Sequence, residues 1–279
     1  MIITWRILFI ALLCLIPLPG EAKDEVAIQL YPGIGDARGF GLEGRVVEWR
    51  DLREFGVKDS WWTNLWRNLR RMINDEQPGV AVTVKIGNDS WPAKTDAEGY
   101  FRIEAQTRLG GGWHPVAASA PGGKAQSAGS LLIVPSENQI GVISDLDDTL
   151  LVSQVNDKSD LLGNTFMKNP LQRSAVPSAA AFLARALARN PHPETAAMIY
   201  LSASPRQLSI PIETFLARNG FPRGVLVTKK VTNDSTSEPL SDQVAYKTAK
   251  IENIFARLPH VSFIFLGDDG EKDPEIFNA

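Results

Sequence analysis

The chain has little cysteine and little histidine. Its single cysteine is Cys14, and its three histidines, His114, His192 and His260, are far apart in the sequence. A disulfide framework, a thiol-based active site and a zinc site built from cysteine and histidine are therefore not expected. An excess of positive charge is also missing, with 29 basic against 32 acidic residues and a net charge of −3. This balance argues against general binding to nucleic acids, which requires concentrated lysine and arginine.

Apolar runs long enough to span a membrane are missing after residue 22. Residues 1–22 have the pattern of a signal peptide, with Arg6, the apolar stretch Ile7–Leu18 and the small-x-small site Gly20-Glu21-Ala22. We therefore expect cleavage before Lys23 and an exported protein, either periplasmic or secreted. An uncleaved anchor is the alternative, although the stretch is short for a span.

The composition is that of a globular protein and the length favours two domains. Hydrophobic residues make up 44% and charged residues 22% of the 279 residues. The polar segment Pro135–Gln139 separates two regions with different patterns. We therefore expect a domain over residues 23–138 and a second domain over residues 139–279.

The first region is predicted to be rich in β-strands. Residues 33–41 are rich in glycine, which predicts a loop, and the alternation over Gly44–Arg50 predicts a strand. Further strands are expected at residues 80–86, 100–104, 113–118 and 130–134. The segment Thr95–Phe101 resembles the turn of transthyretin-like β-sandwiches, in which Asp96 closes the turn and Gly99 adopts positive φ. We therefore expect a small sandwich-like accessory domain.

One helix is predicted within this region. Its apolar residues share one helical face, and arginines lie on the others (Trp62, Leu65, Trp66, Leu69, Met72 and Ile73; Arg67, Arg70 and Arg71). The helix either packs against a sheet or lies on a membrane surface, where tryptophan and arginine meet lipid headgroups. The first alternative is favoured because most such stripes pack into a core. Peripheral membrane contact stays open.

The second region alternates strands and helices, which predicts an α/β fold with a parallel sheet covered on both faces. Strands are expected at residues 140–145, 197–202, 224–228 and 261–267, and helices at residues 178–189, 206–219 and 245–258. Polar clusters follow the first, second and last of these strands. Ligands bind at the carboxyl ends of strands in such sheets. The clusters are therefore expected to converge on one site.

The first cluster is a run of acids after an apolar strand. Asp145, Asp147 and Asp148 lie within four residues directly after the run Gly141–Ser144. Carboxylates this close repel one another unless a cation shares their site. Mg²⁺ is held by carboxylates together with substrate phosphate oxygens. The stretch therefore indicates magnesium-dependent phosphate chemistry.

The order of these clusters resembles that of haloacid-dehalogenase-like phosphohydrolases. The resemblance rests on Asp145-x-Asp147-x-Thr149, on Ser202 at the end of the next strand, on the helical Lys247 and on an acidic loop with Asp268, Asp269 and Asp273. It implies a fold of that superfamily. Lys250, one turn further along the same helix, is the alternative to Lys247.

A closer resemblance is to the catalytic domain of App1-type phosphatidate phosphatases. It is carried by residues 142–149, 164–166, 200–205 and 263–268 together with Lys272–Phe277. The sequence departs from that family at Leu151, where a lysine is common. The resemblance implies hydrolysis of phosphatidate or a related lipid phosphate.

The roles of the site residues follow from the resemblance and fit their chemistry. Asp145 is expected to be the nucleophile, and Asp147 the general acid and base. Ser202, Ala203 and Lys247 are expected to bind phosphate, and Thr149 to brace the loop. Mg²⁺ is expected to be held by the acidic residues at the sheet edge (Asp145, Asp147, Asp268, Asp269 and Asp273).

Two other functions stay open at this point. A water-soluble phosphoester is an alternative substrate, because the residues that bind a phosphoryl group do not define the rest of the molecule. A catalytically weak module that binds lipid or a surface is a second alternative, in which the β-rich region and the tryptophan-rich helix dominate. The sequence gives no basis for an oligomeric state.

Overall fold

The computed structural model describes residues 26–48, 77–121, 123, 127–146, 149–150, 175–231, 238 and 243–267. The predicted signal peptide, the helix predicted at residues 62–73 and the family-like segment 164–166 lie outside the described residues. So do Asp147, Asp148, Asp268, Asp269 and Asp273. The predictions made for these parts of the chain stay predictions.

The N-terminal region forms one hydrogen-bonded sheet of eight strands. The order is β1-β3-β2-β8-β7-β4-β5, with β6 paired to β3. The strands are β1 (Val26–Leu30), β2 (Gly33–Asp36), β3 (Gly39–Glu48), β4 (Ala81–Ile86), β5 (Asp89–Lys94), β6 (Tyr100–Ala105), β7 (Gly112–Ser119) and β8 (Ser127–Ile133). Side chains from strands at both ends of this order share one buried cluster, so the sheet curls around its core.

The prediction of a loop over residues 33–41 is wrong. This segment forms β2 and the start of β3, which pair as an antiparallel hairpin with Ile34 opposite Gly41. The glycines serve close packing there, since a Cβ at Gly35 would lie 2.2 Å from the Gly39 carbonyl oxygen. Glycine enrichment within this segment therefore marks a tightly packed hairpin rather than a loop.

The turn at residues 95–101 has the predicted geometry. Asp96 Oδ1 accepts hydrogen bonds from the backbone N–H groups of Glu98 and Tyr100, at 3.0 and 2.8 Å. Gly99 has φ +77°. The side chain of Asp96 thus closes the turn and fixes the start of β6.

The C-terminal region contains a parallel sheet in the order β11-β10-β9-β12. Its strands are β9 (Ile140–Asp145), β10 (Met198–Pro205), β11 (Val225–Lys229) and β12 (Ser262–Leu266). All four lie within two or three residues of the predicted bounds. The mixed α/β class and the parallel sheet are therefore confirmed.

Helices cover both faces of this sheet. Helix α1 (Ala179–Leu187) and helix α2 (Ser209–Arg218) pack on the face to which Val142 points, whereas helix α3 (Gln243–Arg257) packs on the face of Ile143. Alternate residues of a strand point to opposite faces. Burial on both faces explains why the sequence of β9 is a continuous apolar run. The helix predicted from residue 206 instead begins with a short 3₁₀ turn at Arg206–Leu208.

The two sheets are joined by a buried apolar cluster. Leu132 and Val134 of the N-terminal region pack with Ala197, Val225 and Leu258 of the C-terminal region. The connecting segment is also fixed, because the buried Asn138 amide donates to the His192 carbonyl oxygen at 2.7 Å. In the part of the chain that the structure describes, every helix is too short or too polar to traverse a bilayer.

Candidate active site

Asp145 is the last residue of β9, at the carboxyl edge of the parallel sheet. It has the same parity in the strand as Ile143, whose side chain packs against helix α3. The alternation of strand side chains therefore directs Asp145 to the α3 face. The carboxylate is 3% exposed.

Lys247 contacts this carboxylate directly. Its Nζ lies 2.9 Å from Asp145 Oδ1, and the lysine side chain is only 1% exposed. Lys247 lies on the same stripe of α3 as the buried Ile251 and Ile254, which pack on the sheet. Helix α3 begins near the carboxyl edge of the sheet and runs away from it, so its first turns bring Lys247 beside the end of β9.

Lys250 has a different partner. Its Nζ lies 2.5 Å from a carboxylate oxygen of Glu238, and its side chain is 20% exposed. It also lies 5.5 Å from the centroid of the Tyr246 ring. Of the two lysines considered from the sequence, Lys247 is the one that the structure places against Asp145.

Ser202 lies in the neighbouring strand at the same level. Leu201 of β10 is in register with Asp145 of β9, so Ser202 follows immediately beyond that level. Ser202 is completely buried, and its Oγ accepts a hydrogen bond from the Ser204 N–H at 3.0 Å. The pairing of β10 with β11 shifts register between Leu201 and Pro205. Residues Ser202–Ser204, which include Ala203, therefore depart from the regular ladder, and pairing resumes at Pro205 opposite Lys229.

Two residues of this edge were not predicted from the sequence. The Tyr246 hydroxyl donates to the Ser202 carbonyl oxygen at 3.1 Å. Burial raises the pKa of the Tyr246 phenol above its ordinary value, which keeps the donor protonated. Lys229, fully buried at the end of β11, places its Nζ 4.7 Å from the Tyr246 ring centroid. A lysine at the end of an apolar strand was the sequence signal that could have identified this position.

Leu146 and Leu150 are linked by a hydrogen bond shortly after Asp145. The Leu150 N–H donates to the Leu146 carbonyl oxygen at 3.0 Å, and both of these leucines are buried. Thr149 Oγ1 is buried and has no hydrogen-bond partner among the described residues. The bracing role of Thr149 stays a prediction.

The remaining predicted metal ligands follow the ends of two adjacent strands. Leu266 of β12 is in register with Ser144 of β9. Positions 147 and 268 therefore each follow, within a few residues, a strand that ends at the carboxyl edge of the sheet. No group of three or more acidic, histidine or cysteine side chains is close enough to hold a metal within the described ranges, which omit four of the five predicted ligands. All five predicted ligands are aspartates, and carboxylate oxygens are ligands that suit Mg²⁺.

A cavity of about 160 Å³ lies elsewhere, at the junction of the two sheets. Arg206 and Glu43 line it, and so do Arg257 and Glu104. These opposite charges form ion pairs with one another. Arg102 and Lys250 line the cavity as well, so its basic side chains outnumber its carboxylates. Asp145, Ser202 and Lys247 do not line it.

Comparison with known proteins gives one family match. The family model described as "Phosphatidate phosphatase APP1, catalytic domain" matches residues 140–279. No curated protein is similar enough in sequence to count as a match. Among solved structures, a carbohydrate acetylesterase from Xanthomonas citri is 11% identical with a TM-score of 0.29, over 86% of this chain and 68% of its own. A chain of the Pnkp1/Rnl/Hen1 complex is 16% identical with a TM-score of 0.27, over 51% of this chain and 55% of its own. Neither score shows a common fold.

Proposed function

The chain belongs to the family of the phosphatidate phosphatase APP1 catalytic domain, and from that membership we propose that it is a Mg²⁺-dependent phosphatase. Its substrate is phosphatidate or a related lipid phosphomonoester, which it hydrolyses to a free hydroxyl and phosphate. The observation that carries this proposal is the buried pair of Asp145 and Lys247 at the carboxyl edge of the parallel sheet. The strand order β11-β10-β9-β12 supports a haloacid-dehalogenase-like arrangement, because it places the three motif-bearing strands side by side.

Asp145 acts as the nucleophile in this mechanism. A carboxylate oxygen forms a bond to phosphorus while the bond to the leaving alkoxide oxygen breaks, which gives an aspartyl-phosphate. Asp147 donates its proton to that alkoxide and then removes a proton from the water that attacks the intermediate. The attack by water breaks the bond between phosphorus and Asp145 and releases phosphate.

Lys247 and the β10 segment hold the phosphoryl group. The ammonium beside Asp145 offsets the repulsion between the anionic carboxylate and the anionic phosphate. Ser202 Oγ accepts from the Ser204 N–H, and the Ser202 hydroxyl is the group of this segment that would donate to a phosphoryl oxygen. The Ala203 N–H is a further donor of the same segment. Donors fixed in place before the reaction are the electrostatic part of catalysis.

Mg²⁺ belongs to this proposal as the counter-ion of the acidic edge. The residues that would hold it are Asp145, the Asp147 carbonyl and Asp268, with Asp269 or Asp273 in support. The bound ion would supply charge neutralisation between nucleophile and substrate.

A lipid substrate is consistent with the expected location of the protein. If the chain is exported, the amphipathic, tryptophan-containing helix predicted over residues 62–73 would bring it to headgroups at a membrane surface. Peripheral contact with the bilayer is part of the proposal. Nucleic acid is not an expected partner, because the net charge is −3.

The proposal is tested by phosphate release from several substrates. Phosphatidate in detergent micelles is compared with p-nitrophenyl phosphate and glycerol 3-phosphate, each with Mg²⁺ and with EDTA. We expect Mg²⁺-dependent release and the highest kcat/KM for phosphatidate. A higher kcat/KM for a soluble ester would assign the alternative substrate class.

The variant Asp145→Asn tests the covalent mechanism. We expect its rate to fall by about 10³-fold or more, because an amide is not a nucleophile at phosphorus. Asp89→Asn, at the exposed first residue of β5, is the matched control and keeps full activity. Unchanged release by Asp145→Asn would exclude the aspartyl-phosphate. A wild type that releases no phosphate but binds phosphatidate vesicles would favour the binding-module alternative.

A further inference from the structure

Arg206 extends from the active-site segment into the N-terminal region. It follows directly after β10, whose end carries Ser202–Pro205, and it is only 9% exposed. Its Nη1 forms an ion pair with Glu43 of β3. Burial lowers the pKa of this guanidinium, but Glu43, Tyr31, Tyr100 and Glu238 together outweigh that effect and the pKa is raised.

Two tyrosines of the N-terminal region enclose the same guanidinium. Its central carbon lies 5.4 Å from the centroid of the Tyr31 ring and 5.7 Å from that of Tyr100. The two rings stack on one another at 6.4 Å. A guanidinium held by aromatic faces and a carboxylate is fixed in orientation as well as in position.

The other side of Arg206 is tied to the parallel sheet. Its Nε donates to the Thr228 carbonyl oxygen in β11, at 3.3 Å. Its own carbonyl oxygen accepts from Ser209 Oγ at 2.7 Å, at the start of helix α2. Arg206 therefore links β11, α2 and the N-terminal sheet at a single point.

This point lies four residues after Ser202, at the far end of the irregular segment. Tyr246 holds the near end through the Ser202 carbonyl oxygen. The segment between these two anchors shifts register against β11 and pairs again at Pro205, opposite Lys229, so few ladder contacts hold it besides the anchors. A displacement of about 1 Å in a group that binds substrate can lower a rate by about 10²-fold.

We propose that Arg206 is a positioning residue that acts through Ser202–Pro205, and that Glu43 of the N-terminal sheet holds it in place. The inference rests on the proposed function, since Ser202 and Ala203 are the phosphate-binding groups in that mechanism. The N-terminal sheet is then a support of the active site in addition to any docking role. Removal of either partner loosens the phosphate-binding segment.

The chain contains a matched control for this proposal. Arg257, the last residue of α3, also reaches into the N-terminal sheet, where its Nη2 contacts both carboxylate oxygens of Glu104 at 2.7 and 2.8 Å. Arg257 is distant from the segment Ser202–Pro205 in the sequence. Arg257→Gln removes an ion pair between the same two regions and leaves the Arg206–Glu43 pair itself in place; the two pairs are linked through Arg102, which contacts Glu104 and lies 3.6 Å from Glu43.

The experiment compares Arg206→Gln, Glu43→Gln and Arg257→Gln in the full chain. With p-nitrophenyl phosphate and Mg²⁺, we expect kcat to fall by about 10- to 100-fold in the first two variants and to stay within about twofold in Arg257→Gln. Arg206→Lys is expected to recover only part of the loss, because lysine keeps the charge but cannot also donate to Thr228 in the guanidinium geometry. If Arg206→Gln does not fold, Glu43→Gln tests the same contact, because it removes a partly exposed carboxylate.

A second measurement does not depend on turnover. Hydrogen exchange of the peptide spanning residues 198–209 is expected to be faster by about tenfold in Arg206→Gln and Glu43→Gln, and unchanged in Arg257→Gln. Equal exchange in all variants, or a loss of kcat no larger than that of Arg257→Gln, overturns the positioning role. A wild type without phosphatase activity overturns the proposed function, while the exchange data still decide whether Arg206 and Glu43 hold the segment.

Discussion

The Nζ atom of Lys247 lies 2.9 Å from a carboxylate oxygen of Asp145, and both side chains are almost completely buried. A buried charge is stable only when a partner compensates it. The pair therefore fixes the first turns of helix α3 against the end of β9. It also brings together two residues that are 102 positions apart in the sequence.

The first prediction concerns this pair. Lys247→Met is expected to lower the free energy of unfolding by about 3–5 kcal/mol, because it leaves a buried carboxylate without its ammonium. It is also expected to lower kcat by more than about 10²-fold. Denaturant titration and phosphate release measure the two effects.

Lys250→Met is the control for that variant. Its pair with Glu238 is partly exposed to solvent, and pairs of this kind contribute about 0–1 kcal/mol. We expect near-normal stability and activity. If Lys250→Met were the inactive variant and Lys247→Met active, the assignment of the phosphate-binding lysine would be reversed.

The second prediction concerns the hydroxyl of Tyr246. Tyr246→Phe removes the donor to the Ser202 carbonyl oxygen, and we expect a loss of about 1–3 kcal/mol in stability together with a lower kcat. Tyr200→Phe removes a comparable donor, whose acceptor is the Pro222 carbonyl oxygen at 2.6 Å, away from the Ser202 segment. This control should lose stability but keep kcat. Equal kcat values in Tyr246→Phe and Tyr200→Phe would show that the Tyr246 hydroxyl does not contribute to catalysis.

The third prediction compares two glycines with positive φ. Gly87 has φ +59° and open space around its Cβ position, so Gly87→Ala should cost about 1–2 kcal/mol from backbone strain alone. At Gly99 a Cβ would also lie 2.5 Å from the Val46 carbonyl oxygen. Gly99→Ala should therefore reduce the melting temperature clearly more than Gly87→Ala. Equal shifts in thermal unfolding would contradict the close packing of this turn on β3.

The fourth prediction concerns the pH dependence of stability. Burial raises the pKa of Glu213 on helix α2 to about 7, from an ordinary value of 4.5. The folded state therefore holds a proton that the unfolded state releases, and this residue lowers stability as the pH rises from about 4.5 to about 7. Glu213→Gln should stabilise the protein above pH 7 by about 1–3 kcal/mol and have little effect below pH 4.5.

Denaturant titrations at pH 4.5 and pH 8 measure this difference. Glu252→Gln, on the exposed side of helix α3, is the control and should show no comparable change between the two values. A stabilisation by Glu213→Gln of equal size at both pH values would show that shape or packing, rather than charge, is responsible.

The fold could be predicted from the sequence where a pattern has a single structural solution. The apolar run of β9 predicts a strand buried on both faces, and the structure has helices on both sides of it. The turn at Asp96 and Gly99 followed from the chemistry of those two residues. The glycine-rich segment 33–41 was assigned wrongly, because a local sequence does not show that neighbouring strands leave no room for side chains.

The site could be predicted only in part for the same reason. Asp145, Ser202 and Lys247 were identified by their order along the chain, and their closeness is consistent with a parallel sheet. Tyr246, Lys229 and Arg206 carry no motif. Their positions depend on how α3, β11 and β10 pack, which involves residues distant in sequence.

The sequence by itself determined the family, the strand that carries Asp145 and the residue types of a phosphatase site, because these depend on local patterns and motif order. The tertiary structure decided which lysine meets Asp145, since Lys247 and Lys250 differ only in the helical face that packs on the sheet. It also decided that the N-terminal sheet contacts the end of β10 through Glu43 and Arg206. A contact between two regions depends on how their surfaces fit, and no pattern within either region records it.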